Sequence, residues 1–245
     1  MLDVPQLTAE EILARVLHRD GLMLVIDKPA GLPVHRGPKG GPNLEASFDA
    51  LRFGLPRPPV LAHRLDKDTS GCLVLGRHRK ATASLGLLFK HGKIAKTYWT
   101  VIEGGPAADE GTIDLPLGRL NAERGWWQKP DPQGQEAITN WKVLGRGDGL
   151  TWLAMEPVTG RTHQLRVHAA SQGWPIVGDN IYGTQASLRR LRNEKFIPRF
   201  GEPRLHLHSR EIGIPISRNK EPIRVVAPAP EHMQERLRAC GWNGE

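Results

Sequence analysis

The nine residues His63-Arg64-Leu65-Asp66-Lys67-Asp68-Thr69-Ser70-Gly71 hold two carboxylates, three cationic or potentially cationic side chains, two hydroxyls and a glycine. Apolar runs flank them, Pro59-Val60-Leu61-Ala62 on one side and Cys72-Leu73-Val74-Leu75-Gly76 on the other. A dense polar loop between two strand-like runs is a place where a rigid scaffold often carries functional groups. The plainer reading is a polar turn capped by an Asp through its own backbone, and local pattern alone favours it. Asp66 and Asp68 could serve glycosyl chemistry, which needs a carboxylate at the sugar or base and often a second group. Residues two apart face opposite ways in extended chain, so only one of the pair is expected to point into a cleft.

Other candidates come later in the chain. Arg166 stands within Gly160-Arg161-Thr162-His163-Gln164-Leu165-Arg166-Val167-His168, a stretch read as entering a helix. A buried arginine generally needs a carboxylate, whereas a surface arginine on a basic helix needs none, and the residues alone leave both open. Tyr98, one of two tyrosines, lies on a cleanly alternating strand, where core packing is its default role. His206 and His208 alternate on a strand and His163 and His168 lie in one helix, but a five-residue helical spacing is poor for joint zinc ligation and no Cys or Glu completes either pair. Cys72 heads an apolar strand and reads as a small hydrophobe, not a nucleophile. Neither a Walker-type phosphate loop nor a G-x-G-x-x-G run occurs, so nucleotide-triphosphate and dinucleotide chemistry lack their usual support.

The elements that must position these groups follow from periodicity. Thr8-Ala9-Glu10-Glu11 has capping-box spacing, and Ile12, Leu13, Val16 and Leu17 extend it to a helix over about 9–18. Leu22–Ile26 is a buried strand that ends in Asp27-Lys28-Pro29-Ala30-Gly31. Asn43 caps a helix with Leu44, Phe48 and Leu51 on one face. A helix over about 79–91 stops at Gly92. From Ile94 to Ile102 the chain alternates, with Lys96, Tyr98 and Thr100 on one face and Thr97, Trp99 and Val101 on the other. Residues 104–135, with Trp126-Trp127 inside, read as hairpins or an insertion outside the core. Strands near Ile138–Leu144 and Leu150–Met155 precede a helix with Thr162 as N-cap and Gly173 as C-cap. Residues 184–203 are basic, Leu205–His208, Ile212–Ile216 and Ile223–Val226 are closing strands, and a last helix ends at Gly241. Strands outnumber helices and follow each other through short turns, which implies a single α+β domain with a largely antiparallel sheet.

Composition narrows the partner. At 39% hydrophobic and 24% charged, the 245 residues describe a globular chain. No apolar run is long enough to span a membrane, no signal core opens the chain, and two cysteines exclude a disulfide framework, so a cytoplasmic protein is expected. The formal charge of +8 points to a polyanion, most often nucleic acid, because lysine and arginine displace counterions condensed on phosphates.

Several separated motifs together resemble the RluA family of RNA pseudouridine synthases. The nine-residue loop resembles that family's H-R-L-D-x-x-T-S-G segment, with Lys67 where the family often has Arg. Val25-Ile26-Asp27-Lys28-Pro29-Ala30-Gly31-Leu32-Pro33-Val34-His35 resembles its first motif, and Lys96-Thr97-Tyr98 its K-x-Y strand. Gly160 through His168 resembles its G-R-T-H-Q-L-R-V-H helix, and Ile176-Val177-Gly178-Asp179 through Tyr182-Gly183 the turn after it. Leu207-His208 fits a late L-H segment. The resemblance runs from about residue 20 to 228.

It implies a mixed, mostly antiparallel β-sheet flanked by helices, with a central RNA-binding cleft. It implies Asp66 as the catalytic residue, Arg166 paired with it, and Tyr98 packed on the target uracil and assisting proton removal. Arg64, Lys96, Arg161, His163 and Gln164 are the expected RNA contacts, with residues 36–42 and 184–199 tracking the backbone. No metal or organic cofactor is expected. The partner is rRNA or tRNA, the protein is expected to act as a monomer without a membrane, and no separate N-terminal RNA-binding domain is expected in the 20 residues before the first motif. The rival readings are an N-glycosidase using Asp66 and Asp68, and an RNA-binding or ribosome-assembly protein without turnover.

Overall fold

In the computed structural model, the described residues are 5–37, 40–120, 126–183, 205–217 and 219–244. The basic stretch 184–203 and part of the 36–42 loop therefore lie outside them. The chain divides into two compact units. One takes the chain up to Lys96 together with Ser209–Pro228; the other takes the chain from Thr97, the residues just before Ser209, and everything from Ala229. The α+β class holds, with a mostly antiparallel mixed sheet and few helices.

In the first unit, β2 (Met23–Lys28) lies antiparallel between β1 (Val16–Arg19) and β4 (Ser70–Gly76). β4 is buried along its whole length and also pairs with the short β3 (Val60–Leu61). Helix α1 (Ala9–Leu13) opens with the expected capping box between Thr8 and Glu11. It ends early, because Val16 and Leu17 do not continue the helix; Val16 pairs with Ile26 in β1. Intrinsic helical spacing loses here to a ladder that a strand partner supplies. A 3-10 helix (Leu44–Leu51) is capped by the Asn43 side chain, which accepts from the Ala46 N–H. Helix α2 (Arg79–Lys90) packs Leu85, with the half-buried Leu88 and Phe89, against Met23, Val25, Cys72 and Val74.

In the second unit the strand order is β5 (Ala95–Glu103), β10 (Leu150–Pro157), β9 (Ile138–Gly147) and β6 (Glu110–Asp114), each antiparallel to the next. β5 shows the expected alternation. Tyr98 and Ile102 belong to a cluster with Leu153, Met155 and Leu165, whereas Trp99 and Val101 pack with Trp152, Met233 and Leu237. The last two belong to helix α4 (Glu231–Ala239).

Residues 104–135 are less peripheral than their composition implies. β6 is part of the sheet, and the hairpin β7 (Leu117–Arg119) and β8 (Gln128–Pro130) buries Leu117 against Val167. Helix α3 (Gln164–Ser171) starts one residue later than expected. Its N-cap is His163, not Thr162, and His163 has a left-handed backbone (φ 54°). The expected strands 205–208 and 212–216 merge into one, β11 (Leu207–Ile214), which pairs with β12 (Ile223–Val226).

Candidate active site

The polar loop is held by a buried lysine. Lys28 ends β2 on the same face as Leu24 and Ile26, and its side chain is fully buried. Its Nζ donates to the carbonyls of Pro29 (2.8 Å), Lys67 (2.9 Å) and Thr69 (2.9 Å). The Lys67 carbonyl also accepts from the Gly31 N–H at 2.9 Å, and Thr69 N–H donates to the Asp66 carbonyl at 3.2 Å. The backbone on both sides of Asp68 is thus fixed from beneath, directly after Asp66. Three acceptors match the three N–H groups of an ammonium. Burial pushes the Lys28 pKa down to about 7, against the pull of the Asp68, Asp66 and Asp27 carboxylates. Asp27, next in the chain, is pushed up to about 6 by burial, opposed by Arg15 and Lys28.

His63, at the start of the loop, is structural. Its Nε2 accepts from the Val74 N–H at 3.0 Å, and its ring stacks on Phe89 with centroids 4.0 Å apart. Burial, with the nearby Lys96 charge, holds its pKa down at about 3, so the ring is neutral at physiological pH. At the other end, Gly71 has φ 103°, and a Cβ there would lie 2.3 Å from the Ser209 carbonyl oxygen. Only glycine allows that approach. Between these anchors Leu65 is buried, Asp66 and Asp68 are half-buried, and Arg64 and Lys67 are exposed. Lys96, at the start of β5, is half-buried, and burial lowers its pKa. Cys72 is buried with its thiol pushed up to about 12 by burial, which keeps it protonated and unreactive, as its place on an apolar strand implies.

The second unit gathers a different set around the start of α3. Arg166 is buried and forms a two-pronged ion pair with Asp179, Nε to Oδ2 at 2.8 Å and Nη2 to Oδ1 at 2.7 Å. Asp179 Oδ1 also accepts from the N–H groups of Ile181 and Tyr182, both at 2.9 Å. The guanidinium lies 5.3 Å from the Tyr182 ring centroid. The requirement that a buried arginine find a carboxylate is therefore met within this unit by Asp179, a residue to which the sequence reading assigned no role. Its signal was present in the turn Gly178-Asp179, thirteen residues after Arg166.

Gln164 is buried, and its amide is occupied at all four positions. Its oxygen accepts from Thr159 Oγ1 (2.8 Å) and Arg161 N–H (3.0 Å); its nitrogen donates to the Ile138 carbonyl (3.0 Å) and Thr139 Oγ1 (2.9 Å). That leaves it shaping the turn before α3. Arg161 is half-buried, with Nε donating to the Glu136 carbonyl at 2.8 Å. His163 Nδ1 lies 2.7 Å from the Tyr182 hydroxyl, which accepts from the Gln128 N–H at 3.0 Å. His168 is hydrogen-bonded to Thr139 Oγ1 and the Leu115 carbonyl, a packing role and not a metal ligand's. Tyr98 is half-buried on β5 opposite Met155.

The sequence candidates thus fall into two groups. Arg64, Asp66 and Lys96 belong to the first unit; Tyr98, Arg161, His163, Gln164 and Arg166 belong to the second. Lys28 and Asp179 are the two supporting residues that had been assigned no role. Lys28 was legible in principle, since it continues the inward face of an apolar strand.

Comparison with known proteins identifies the family and the fold. The family model described as RNA pseudouridylate synthase matches residues 22–171. A protein of Zymomonas mobilis described as an uncharacterized RNA pseudouridine synthase is 43% identical over 219 residues, covering 89% of this chain and 94% of the relative. Ribosomal large subunit pseudouridine synthase D of Xanthomonas campestris is 36% identical over 239 residues, covering 94% of this chain and 70% of the relative. Among solved structures, human RNA pseudouridylate synthase domain containing 4 superposes with a TM-score of 0.74 at 28% identity, covering 94% of this chain and 95% of that one.

Proposed function

Since this chain belongs to the RNA pseudouridylate synthase family, isomerases that act on RNA, we propose that it converts specific uridines of structured rRNA or tRNA to pseudouridine with Asp66 as the catalytic residue. The observation that carries the reading is the clamp on the Asp66 loop. A carboxylate that must meet one atom of a flipped nucleotide needs a backbone that does not wander, and Lys28 and Gly31 hold that backbone at Lys67 and Thr69.

The reaction breaks the N1–C1′ bond of uridine, turns the base and forms a C5–C1′ bond. The C5 proton leaves and N1 gains one, so no oxidant or energy source is consumed. In this reading Asp66 acts as nucleophile or base at the nucleotide, and Tyr98 packs on the uracil and assists removal of the C5 proton. Arg166 completes the catalytic set, oriented by its pair with Asp179. A base taken from a paired stem loses stacking worth a few kcal/mol, part of which a tyrosine face returns. Arg64, Lys96, Arg161 and His163 are the proposed RNA contacts, and Gln164 braces the turn before α3 through Thr159 and Arg161. We further place the protein in the cytoplasm as a monomeric single catalytic domain that works without a metal or organic cofactor.

The test uses RNA labelled with tritium at uridine C5, drawn from cells lacking the protein. The expected result is release of tritium to water with no free uracil, and loss of that release in Asp66→Asn while RNA binding persists. Free uracil would identify a glycosidase instead, and full activity in Asp66→Asn would remove Asp66 from the mechanism.

A further inference from the structure

The most exposed large hydrophobic side chain among the described residues is Trp126, at 58%. It precedes β8 in the β7–β8 hairpin, an element that the proposed chemistry leaves unused. Burying an indole is worth more than burying almost any other side chain, so leaving one in water needs a reason.

The ring is nevertheless held in place. It meets the Trp127 ring at 5.7 Å and 76°, and the His163 ring at 5.5 Å and 89°. Both contacts are edge-to-face, and no parallel ring covers the indole among the described residues. The hairpin itself is fixed behind it. Gln128 N–H donates to the Tyr182 hydroxyl, Leu120 N–H donates to the Trp127 carbonyl at 2.8 Å, and Leu117 packs on Val167 of α3. Arg119 and Lys129, both exposed on the same hairpin, and Arg161, two residues before His163, add positive charge. An oriented, exposed aromatic ring on a hairpin that also carries cations is the arrangement that single-stranded nucleic acid favours, since every base has a face to stack and every nucleotide a phosphate to neutralise.

We propose that Trp126 is a stacking platform for an unpaired base of the RNA, its indole braced by His163 and Trp127. The base lies outside the reacting nucleotide, so the platform contributes to substrate choice and affinity, not to bond making. This rests on the reading of the chain as an RNA-modifying enzyme, and the test separates the two.

The full-length protein and its Trp126→Ala and Trp126→Phe variants are titrated with C5-tritiated RNA and, separately, with an oligouridylate read by intrinsic fluorescence. Stacking of one base supports about a tenfold rise in KM for Trp126→Ala, with a much smaller effect on kcat. Trp126→Phe should recover most of the affinity, and the melting temperature should barely move. Unchanged KM and oligouridylate affinity in Trp126→Ala would overturn the proposal. So would a Phe variant no better than Ala, since a stacking role tolerates any aromatic ring. If the wild type releases no tritium but Trp126→Ala still weakens oligouridylate binding, the catalytic reading fails and the platform stands.

Discussion

Replacing Lys28 by methionine separates the stability of the fold from the geometry of the loop. Methionine matches the length of the lysine stem and carries no donor. Burial lowers the Lys28 pKa from 10.5 to about 7, which at ~1.4 kcal/mol per pH unit is about 5 kcal/mol against the buried ammonium. Methionine relieves that cost but leaves the Pro29, Lys67 and Thr69 carbonyls without the Nζ donor, at about 1–3 kcal/mol each. The two effects oppose each other, so Lys28→Met should cost the fold no more than about 4 kcal/mol in urea unfolding. The loop loses its anchors all the same. A displacement of about 1 Å at a reacting group costs on the order of 100-fold, and that is the expected fall in kcat by tritium release. A folded Lys28→Met protein within about threefold of wild-type turnover would refute the clamp as the device that positions Asp66.

The same substitution has a pH signature. Between pH 7 and 10.5 the unfolded chain holds the Lys28 proton and the folded one has released it, so stability rises with pH there. The wild-type unfolding free energy minus that of Lys28→Met should climb by up to ~1.4 kcal/mol per pH unit over this range. A flat difference would mean that the ammonium keeps its proton.

Two further predictions follow from buried charge. Asp179→Asn removes the carboxylate charge from an ion pair whose side chains are 2% and 1% exposed. It should lower stability by about 3–5 kcal/mol in urea unfolding and reduce turnover at ordinary RNA binding; a wild-type unfolding midpoint would show that Asp179 is dispensable to Arg166. His63 titrates at about 3 in the fold against 6.5 when free, so its contribution is complete above pH 6.5 and is lost on acidification, about 3 kcal/mol by pH 4.5. His63→Gln keeps an acceptor for the Val74 N–H but has no such titration. It should start less stable through the lost Phe89 stacking, yet lose about 3 kcal/mol less than wild type between pH 6.5 and 4.5. Equal acid sensitivity of the two proteins would show that His63 is charged in the fold.

Much of the fold was legible from pattern. The alternation of β5, the capping box at Thr8, the Asn43 cap and the helix over Arg79–Lys90 all follow from local spacing. The departures share one cause. Val16 and Leu17 fit a helix until Ile26 offers a strand edge, and Thr162 is a good cap until the left-handed His163 takes the position. Residues 104–135 look like a solvated insertion because glycine, proline and charge dominate, yet Ile113 and Leu117 are buried by neighbours far along the chain. Local propensity is worth tenths of a kcal/mol per residue, and a tertiary partner readily outweighs it.

The candidate site divides along the same line. Residue types and spacing marked out the polar loop, and the family it resembles implied Asp66, Tyr98 and Arg166 as the residues on which the mechanism should rest. Only the tertiary structure decided what holds them. It made Lys28 the clamp beneath the loop, His63 a neutral strut, Gln164 a saturated brace and Asp179 the carboxylate that Arg166 meets in its own unit. Those roles depend on burial and on partners up to 41 residues away, which a linear pattern does not contain. The chemical groups can be read from the chain, but the low dielectric and fixed acceptors that set their charge and direction arise only on folding.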